Sequence, residues 1–248
     1  QLAEACETTR AIDRWLDLTA TGPMVVAEAA PPAAVGRRRR VAVARDAAFC
    51  FYYPDNLEWL EAAGGHIVPF SPLADSTLPT GIDAVYLGGG YPELHARHLA
   101  ANEAMRVSLR RYHADGGTIY AECGGLMYLC REIVTTAGEA FPMVDLLPAR
   151  AVMQGRLAAL GYVAWHAVAD TPLGPAGTLL RGHEYHYSRL EPLIPLPARA
   201  ELRRQDEPPR ADGFGEGRLL AGYAHLHFGS NPAVAWSLLG EKPPAGTG

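Results

Sequence analysis

The sequence predicts an α/β fold on a mainly parallel sheet, and three observations lead to it. Short runs rich in β-forming residues alternate with segments of helical periodicity from Arg40 to beyond Leu126. Glycine pairs and one triplet punctuate these segments at 64–65, 88–90, 116–117 and 124–125. The composition, 48 % hydrophobic and 20 % charged over 248 residues, suits a chain that buries one large core. Strands that alternate with helices pair in parallel and are covered on both faces.

The elements follow in order. Leu2, Cys6, Thr9, Ile12 and Leu16 recur at helical spacing and predict an amphipathic helix. An Ala- and Pro-rich stretch over 22–36 reads as a linker, and Arg37 to Arg40 as its solvated end, with phosphate binding the less favoured reading. Residues 41–44 predict a buried strand. Asp55 is expected to cap a helix from Asn56 that turns Leu57, Leu60 and Ala63 inward. Residues 66–70 and 84–87 predict two more strands. Pro92 opens a helix after the glycine triplet, and a further helix is expected over 102–113. A fourth strand, 118–121, runs directly into Glu122-Cys123-Gly124-Gly125 and a helix from Leu126. Past Ala151 the pattern changes to longer strand-like runs at 161–169, 179–189 and 219–228, closed by a short helix at 233–239. No repeat is present.

Charge and cysteine content narrow the class. A net charge of −5 offers no sequence-wide basic field for nucleic acid or an anionic membrane. No apolar run approaches the roughly 20 residues that span a bilayer, and no signal-peptide pattern opens the chain. Cys6, Cys50, Cys123 and Cys130 show no zinc-like spacing. They are expected as free thiols in a reducing, cytoplasmic compartment.

Cys123 carries the clearest chemical signal. A cysteine between strand and helix, flanked by Ala121, Gly124 and Gly125, is the pattern of a nucleophile elbow, where a sharp turn lifts the side chain above the sheet. The helix N-terminus is expected to lower the thiol pKa, and the Gly124 N–H to hold an oxyanion. A buried cysteine beside a Gly-Gly turn is the plain alternative. Gly88-Gly89-Gly90 ends a neighbouring strand at the edge where open α/β sheets place ligands. It is read as backbone for close substrate approach, as a tight turn, or, less favoured, as a phosphate loop, since neither GxxxxGK[ST] nor GxGxxG occurs there. A thiol nucleophile needs a base. His225 and His227 lie two residues apart on an expected strand and so share a face. The cluster 181–187 is not HExxH, and as a strand it sets His183 and His186 on opposite faces; no metal is expected. For any one of the nine histidines a structural role remains the alternative.

Five blocks in this order, 44–53, 87–93, 121–129, 181–188 and 225–228, resemble class I glutamine amidotransferase domains. More narrowly, they look like the glutaminase half of cobyrinic and hydrogenobyrinic acid a,c-diamide synthases, from about Arg40 to Leu239. The resemblance implies a flavodoxin-like three-layer sandwich. It implies that Cys123 attacks the glutamine amide, that His225 protonates the departing ammonia and then activates water, and that Gly90, with Gly89, and Gly124 bind the oxyanion. It divides the chain into a C-terminal remnant of an ATP-dependent synthetase domain plus linker (1–39) and a glutaminase domain (40–248). No cofactor is implied for the latter; ATP and Mg belong to the synthetase domain, and the acceptor is a corrinoid. A homodimer is left open. Two positions depart from the class pattern. Ala121 stands where many elbows have Gly, and His227 where the class carries the glutamate that orients the catalytic histidine. The site is then a Cys–His dyad, or His227 or Glu184 orients His225. The aromatics at 51–53 and the cluster at 181–187 are expected to meet the synthetase domain or corrinoid, with core packing as the alternative. Related ligases offer another reading: a nickel-sirohydrochlorin enzyme, or cobyric acid synthase, against which Leu226 counts. A non-catalytic docking subunit is a further one, opposed by the intact motif.

Overall fold

A computed structural model describes residues 38–205 and 207–244. The expected helix at 2–16 and the linker at 22–36 lie outside those residues. The first half alternates as its sequence predicts. Strand β1 (Arg39–Ala44) is followed by β2 (Phe49–Phe51), helix α1 (Pro54–Ala62), β3 (Gly65–Phe70), β4 (Ala84–Leu87) and the two-residue β5 (Gly89–Gly90). A 3-10 turn at Pro92–His95 leads to α2 (Ala96–Ala101) and α3 (Glu103–Ala114). Strand β6 (Thr118–Glu122) ends one residue before α4 (Gly124–Leu129). The second half is mostly strand: β7 (Cys130–Val134), β8 (Ala140–Pro142), β9 (Leu147–Met153), β10 (Ala159–Ala167), β11 (Leu179–His186), β12 (Ser188–Pro192), β13 (Ala200–Arg203), β14 (Arg210–Asp212), β15 (Leu219–Gly222) and β16 (His225–His227). Helix α5 (Ala233–Leu238) closes it.

The central sheet has the order β15-β6-β4-β1-β3, and every pairing in it is parallel. Its strands are apolar runs because both faces are covered. On one face Ala42, Ala44, Val85, Leu87, Ile119 and Ala121 pack with Leu99, Leu109 and Leu126 of α2 to α4 and with Leu147 and Ala149 of β9. On the other, Val41, Val43, Tyr86 and Tyr120 pack with Val163, Trp165, Leu180 and Leu202. Those last four belong to a second, antiparallel sheet, β14-β13-β10-β11-β16, and α1 and α5 share its layer. A third sheet, β12-β9-β7-β8, joins the helical side. The result is three layers on a parallel sheet, with much of one outer layer a sheet rather than helices. Among the described residues no helix is long and apolar enough to cross a membrane.

Several boundaries differ for physical reasons. Asp55 is not the cap of α1: Tyr53 precedes a helix that Pro54 opens, its fixed φ being suited to the first turn. Asn102, by contrast, caps α3 by accepting from the Met105 N–H at 3.3 Å. The run 219–228 is two strands in two sheets, broken at Tyr223–Ala224, and the run 179–189 is broken at Tyr187. Periodicity reports a strand's faces but not which partner it takes, so it does not reveal a chain that changes sheet.

Candidate active site

The elbow is built by β6, α4 and the glycines around them. Cys123 has φ 46° and ψ −99°, a region that costs an L-residue about 1–3 kcal/mol. Backbone bonds hold it there: the Cys123 N–H donates to Gly222 at 2.8 Å, the Gly125 N–H to Gly88 at 3.0 Å, and the Met127 N–H to the Cys123 carbonyl at 3.0 Å. Only small residues fit beside it. A Cβ on Gly125 would overlap the Leu87 carbonyl, and one on Gly124 would sit 3.0 Å from the Gly90 nitrogen. The oxyanion candidates Gly90 and Gly124 are therefore neighbours across the turn.

Cys123 and His225 face one cavity of about 190 Å³, which Gly90, Glu93, His183 and Tyr185 also line. The thiol lies 3.8 Å from the Tyr185 carbonyl. Burial pushes its pKa up to about 12, Glu93 adds to the rise, and the Gly124 N–H bond opposes it. The lowered thiol pKa expected from the helix N-terminus is thus corrected, because desolvation outweighs the donor. His225 stands opposite His183 in the β11–β16 pairing, and the two rings stack at 4.9 Å. Phe51 meets the imidazole edge-on at 4.8 Å, and a Cβ on Gly89 would overlap its Cε1. Burial, then His183 and His186, lower the His225 pKa to about 3. Both shifts favour a neutral thiol and a neutral imidazole.

Neither expected orienting group reaches His225. His227 is turned toward Asp55, with its Nε2 at 3.4 Å from Oδ2, and packs on Tyr53. Glu184 is buried beside two guanidinium groups, Arg204 at 3.0 Å and Arg210 closer, and His186 Nε2 lies at 3.4 Å. Burial would raise its pKa, but the hydrogen bonds of His186 and Arg210 bring it down to about 2. The acid beside His225 is Glu122, whose Oε2 lies 3.9 Å from Nδ1. Oε1 accepts from Tyr120 Oη at 2.5 Å and from the Leu226 N–H at 3.0 Å, and Oε2 accepts from Tyr86 Oη at 2.9 Å. Burial nonetheless pushes Glu122 up to about 7. One signal for it was available: a carboxylate ending an otherwise uncharged strand, Thr-Ile-Tyr-Ala-Glu, is costly to bury without a task.

His183 and His186 do lie on opposite faces of β11, yet both border the cavity. His183 Nδ1 is 2.6 Å from Tyr53 Oη, and His186 stacks on Tyr223 at 3.9 Å. Phe51, Tyr185 and Tyr187 stay exposed near the mouth. Tyr52 does not: its hydroxyl donates to the Ala44 carbonyl and accepts from the Gly88 N–H at 2.9 Å, so it braces the glycine triplet.

Residues 40–233 match the CobB/CobQ-like glutamine amidotransferase domain. The cobyrinate a,c-diamide synthase of Syntrophotalea carbinolica is 44 % identical over 239 residues, covering 94 % of this chain and 52 % of its own. The hydrogenobyrinate a,c-diamide synthase of Streptomyces coelicolor is 42 % identical over 205 residues, covering 83 % of this chain and 40 % of its own. The chain thus spans about half the length of the relatives it matches. Among solved structures, PurLQS from Thermotoga maritima aligns with a TM-score of 0.57 at 15 % identity, over 82 % of this chain and 98 % of that one. A structure described as a glutamine amidotransferase aligns at 0.52 and 18 % identity, over 81 % and 98 %. At such identities they speak for the fold alone. The family match, which takes in Cys123 and His225 and most of the chain, carries the assignment: this chain belongs to the CobB/CobQ-like glutamine amidotransferase domains.

Proposed function

We propose that this chain is the glutaminase portion of a cobyrinate or hydrogenobyrinate a,c-diamide synthase, with Cys123 as nucleophile and His225 as its acid and base. The observation that carries this reading is the strained Cys123 facing one cavity with His225, beside the amides of Gly90 and Gly124. The thiol proton passes to His225 as sulfur attacks the amide carbon of glutamine. The N–H groups of Gly90 and Gly124, with Gly89 behind them, receive the oxygen that gains charge. His225 gives its proton to the nitrogen, ammonia leaves, and a γ-glutamyl thioester remains. Water then loses a proton to His225 and attacks the thioester. Cys123 departs with that proton, and glutamate is released.

The ammonia is used on the a and c acetate groups of a corrinoid, activated with ATP and Mg on a synthetase portion. Residues 1–39 would be the end of that portion and its linker, and 40–248 the glutaminase. The longer relatives and the family match beginning at residue 40 support this division. Three free cysteines among the described residues suit a reducing, cytoplasmic setting.

The test is ammonia release from glutamine, measured for the wild type and for Cys123→Ala and His225→Ala, alone and in the full-length polypeptide with corrinoid and ATP. Turnover should vanish in the first variant and fall by about 10²–10⁴-fold in the second. Wild-type rates in Cys123→Ala would end the reading.

A further inference from the structure

We infer that Glu122, the residue before the nucleophile, is the carboxylate that orients His225 and balances its charge while the imidazole holds the proton. This rests on the roles proposed above for Cys123 and His225. The His225 Nδ1 is buried and has no hydrogen-bond partner among the described residues. An imidazolium formed there needs a counter-charge, because burial disfavours the cation strongly. Among the described residues the one acid within ion-pair distance is Glu122, at 3.9 Å. That is too long for a hydrogen bond in the resting neutral pair. Protonation of His225 creates the attraction that draws the two together, and apo sites commonly tighten in this way.

The carboxylate is placed for this task. Its Oε1 is taken up by Tyr120 and the Leu226 N–H, whereas Oε2 accepts from Tyr86 alone and keeps a lone pair for His225. The bond to Leu226 also fixes the strand next to the imidazole. The two other buried acids meet other groups. Glu184 is held by Arg204, Arg210 and His186, and Asp212 accepts from the Tyr223 N–H at 2.8 Å through Oδ1. Glu122 therefore stands in for the acid absent at position 227. One dipeptide supplies both the nucleophile and the group that positions its base.

A purely structural Glu122, tying Tyr86 and Tyr120 to β16, would affect folding but not the proton chemistry. Steady-state glutaminase kinetics of Glu122→Gln and Glu122→Asp separate the two roles. Glu122→Gln should lose about 10²-fold or more in kcat with KM changed less than about threefold, and Glu122→Asp should recover part of that loss. The pH profile adds a readout that a structural role leaves alone. Glu122 faces Tyr86, Tyr120 and His225, with Cys123, Asp212, Tyr52 and Tyr53 also within its field. Burial raises its pKa to about 7. Wild-type kcat should therefore decline as pH falls through about 7, and that limb should be missing from the residual activity of Glu122→Gln. Burial also raises Asp212 to about 7, so Asp212→Asn is the control and should keep the limb.

A Glu122→Gln enzyme within about threefold of wild-type kcat, with the limb intact, overturns the inference. If that variant fails to fold, a limb that is absent in wild type or lost in Asp212→Asn overturns it equally. Either result, with Cys123→Ala and His225→Ala still inactive, leaves the nucleophile and base standing. Activity in Cys123→Ala would instead strike the underlying reading.

Discussion

At Cys123 the backbone takes a conformation that L-residues avoid, and the neighbouring glycines carry the consequences of that choice. Gly125 lets the first turn of α4 press on the Leu87 carbonyl, and Gly89 lets β5 lie flat under the His225 ring. A side chain at 89 has no route around the imidazole, which is held by His183 on one side and Phe51 on another. Gly89→Ala should therefore displace His225 while leaving the hydrophobic layers intact. A loss of about 10²-fold in kcat with a nearly unchanged melting temperature is expected; steady-state kinetics beside thermal denaturation would check it. The sharp turn at Cys123 and its crowded glycines were legible in the sequence, because small residues spaced this way between strand and helix announce such a turn. Glu122 stands in the same motif, but its contact with His225 depends on which strand lies beside β6, and nothing in the residues on either side of it says so.

The strand that carries His225 is only three residues long and is held largely by side chains from elsewhere. Asn56 on α1 donates to the Leu226 carbonyl at 2.7 Å and accepts from the Phe228 N–H at 2.8 Å. A single buried amide thus replaces two rungs of a ladder. Asn56→Ala would leave both backbone groups unpaired in the core, at about 1–3 kcal/mol each. Lower stability in denaturant titration should accompany reduced kcat, since β16 loses its fixed position. Sequence periodicity placed α1, α3 and the strands of the parallel sheet well. It failed at β7 to β9 and at the breaks within 179–189 and 219–228. There, short strands alternate exposed and buried residues irregularly, and their pairings are set by sheets that assemble from distant segments.

Over the whole molecule, the layer facing β15 gathers ionisable groups whose demands conflict. Burial, partly offset by the Tyr223 N–H, raises the Asp212 carboxyl to about 7 from an ordinary 3.8. Folding thus favours its protonated form. Its share of stability is full below about pH 4 and is lost as pH rises through 7. Asp212→Asn cannot ionise, so its stability relative to wild type should be greater at about pH 8 than at about pH 5, as melting temperatures at the two values would show. Glu184 has the opposite dependence: its stabilisation, present above its ordinary pKa, is lost only as pH falls toward 2. Three-layer architecture was legible from alternation and composition. The antiparallel sheet in one outer layer was not, because its strands read as extended runs with no mark of the surface they would cover.

Tyr223 and Ala224 are all that separates the last residue of the parallel sheet, Gly222, from His225 in the antiparallel one. Gly222 pairs with Glu122, and His225 pairs with His183, so this link works as a ruler laid between two frames. Side chains on a strand alternate faces, so adding or removing a single residue at 223–224 would exchange the imidazole for Leu226 or Ala224 at the cavity wall. The number of residues in this link, rather than their chemistry, therefore decides which side chain of β16 meets the cavity.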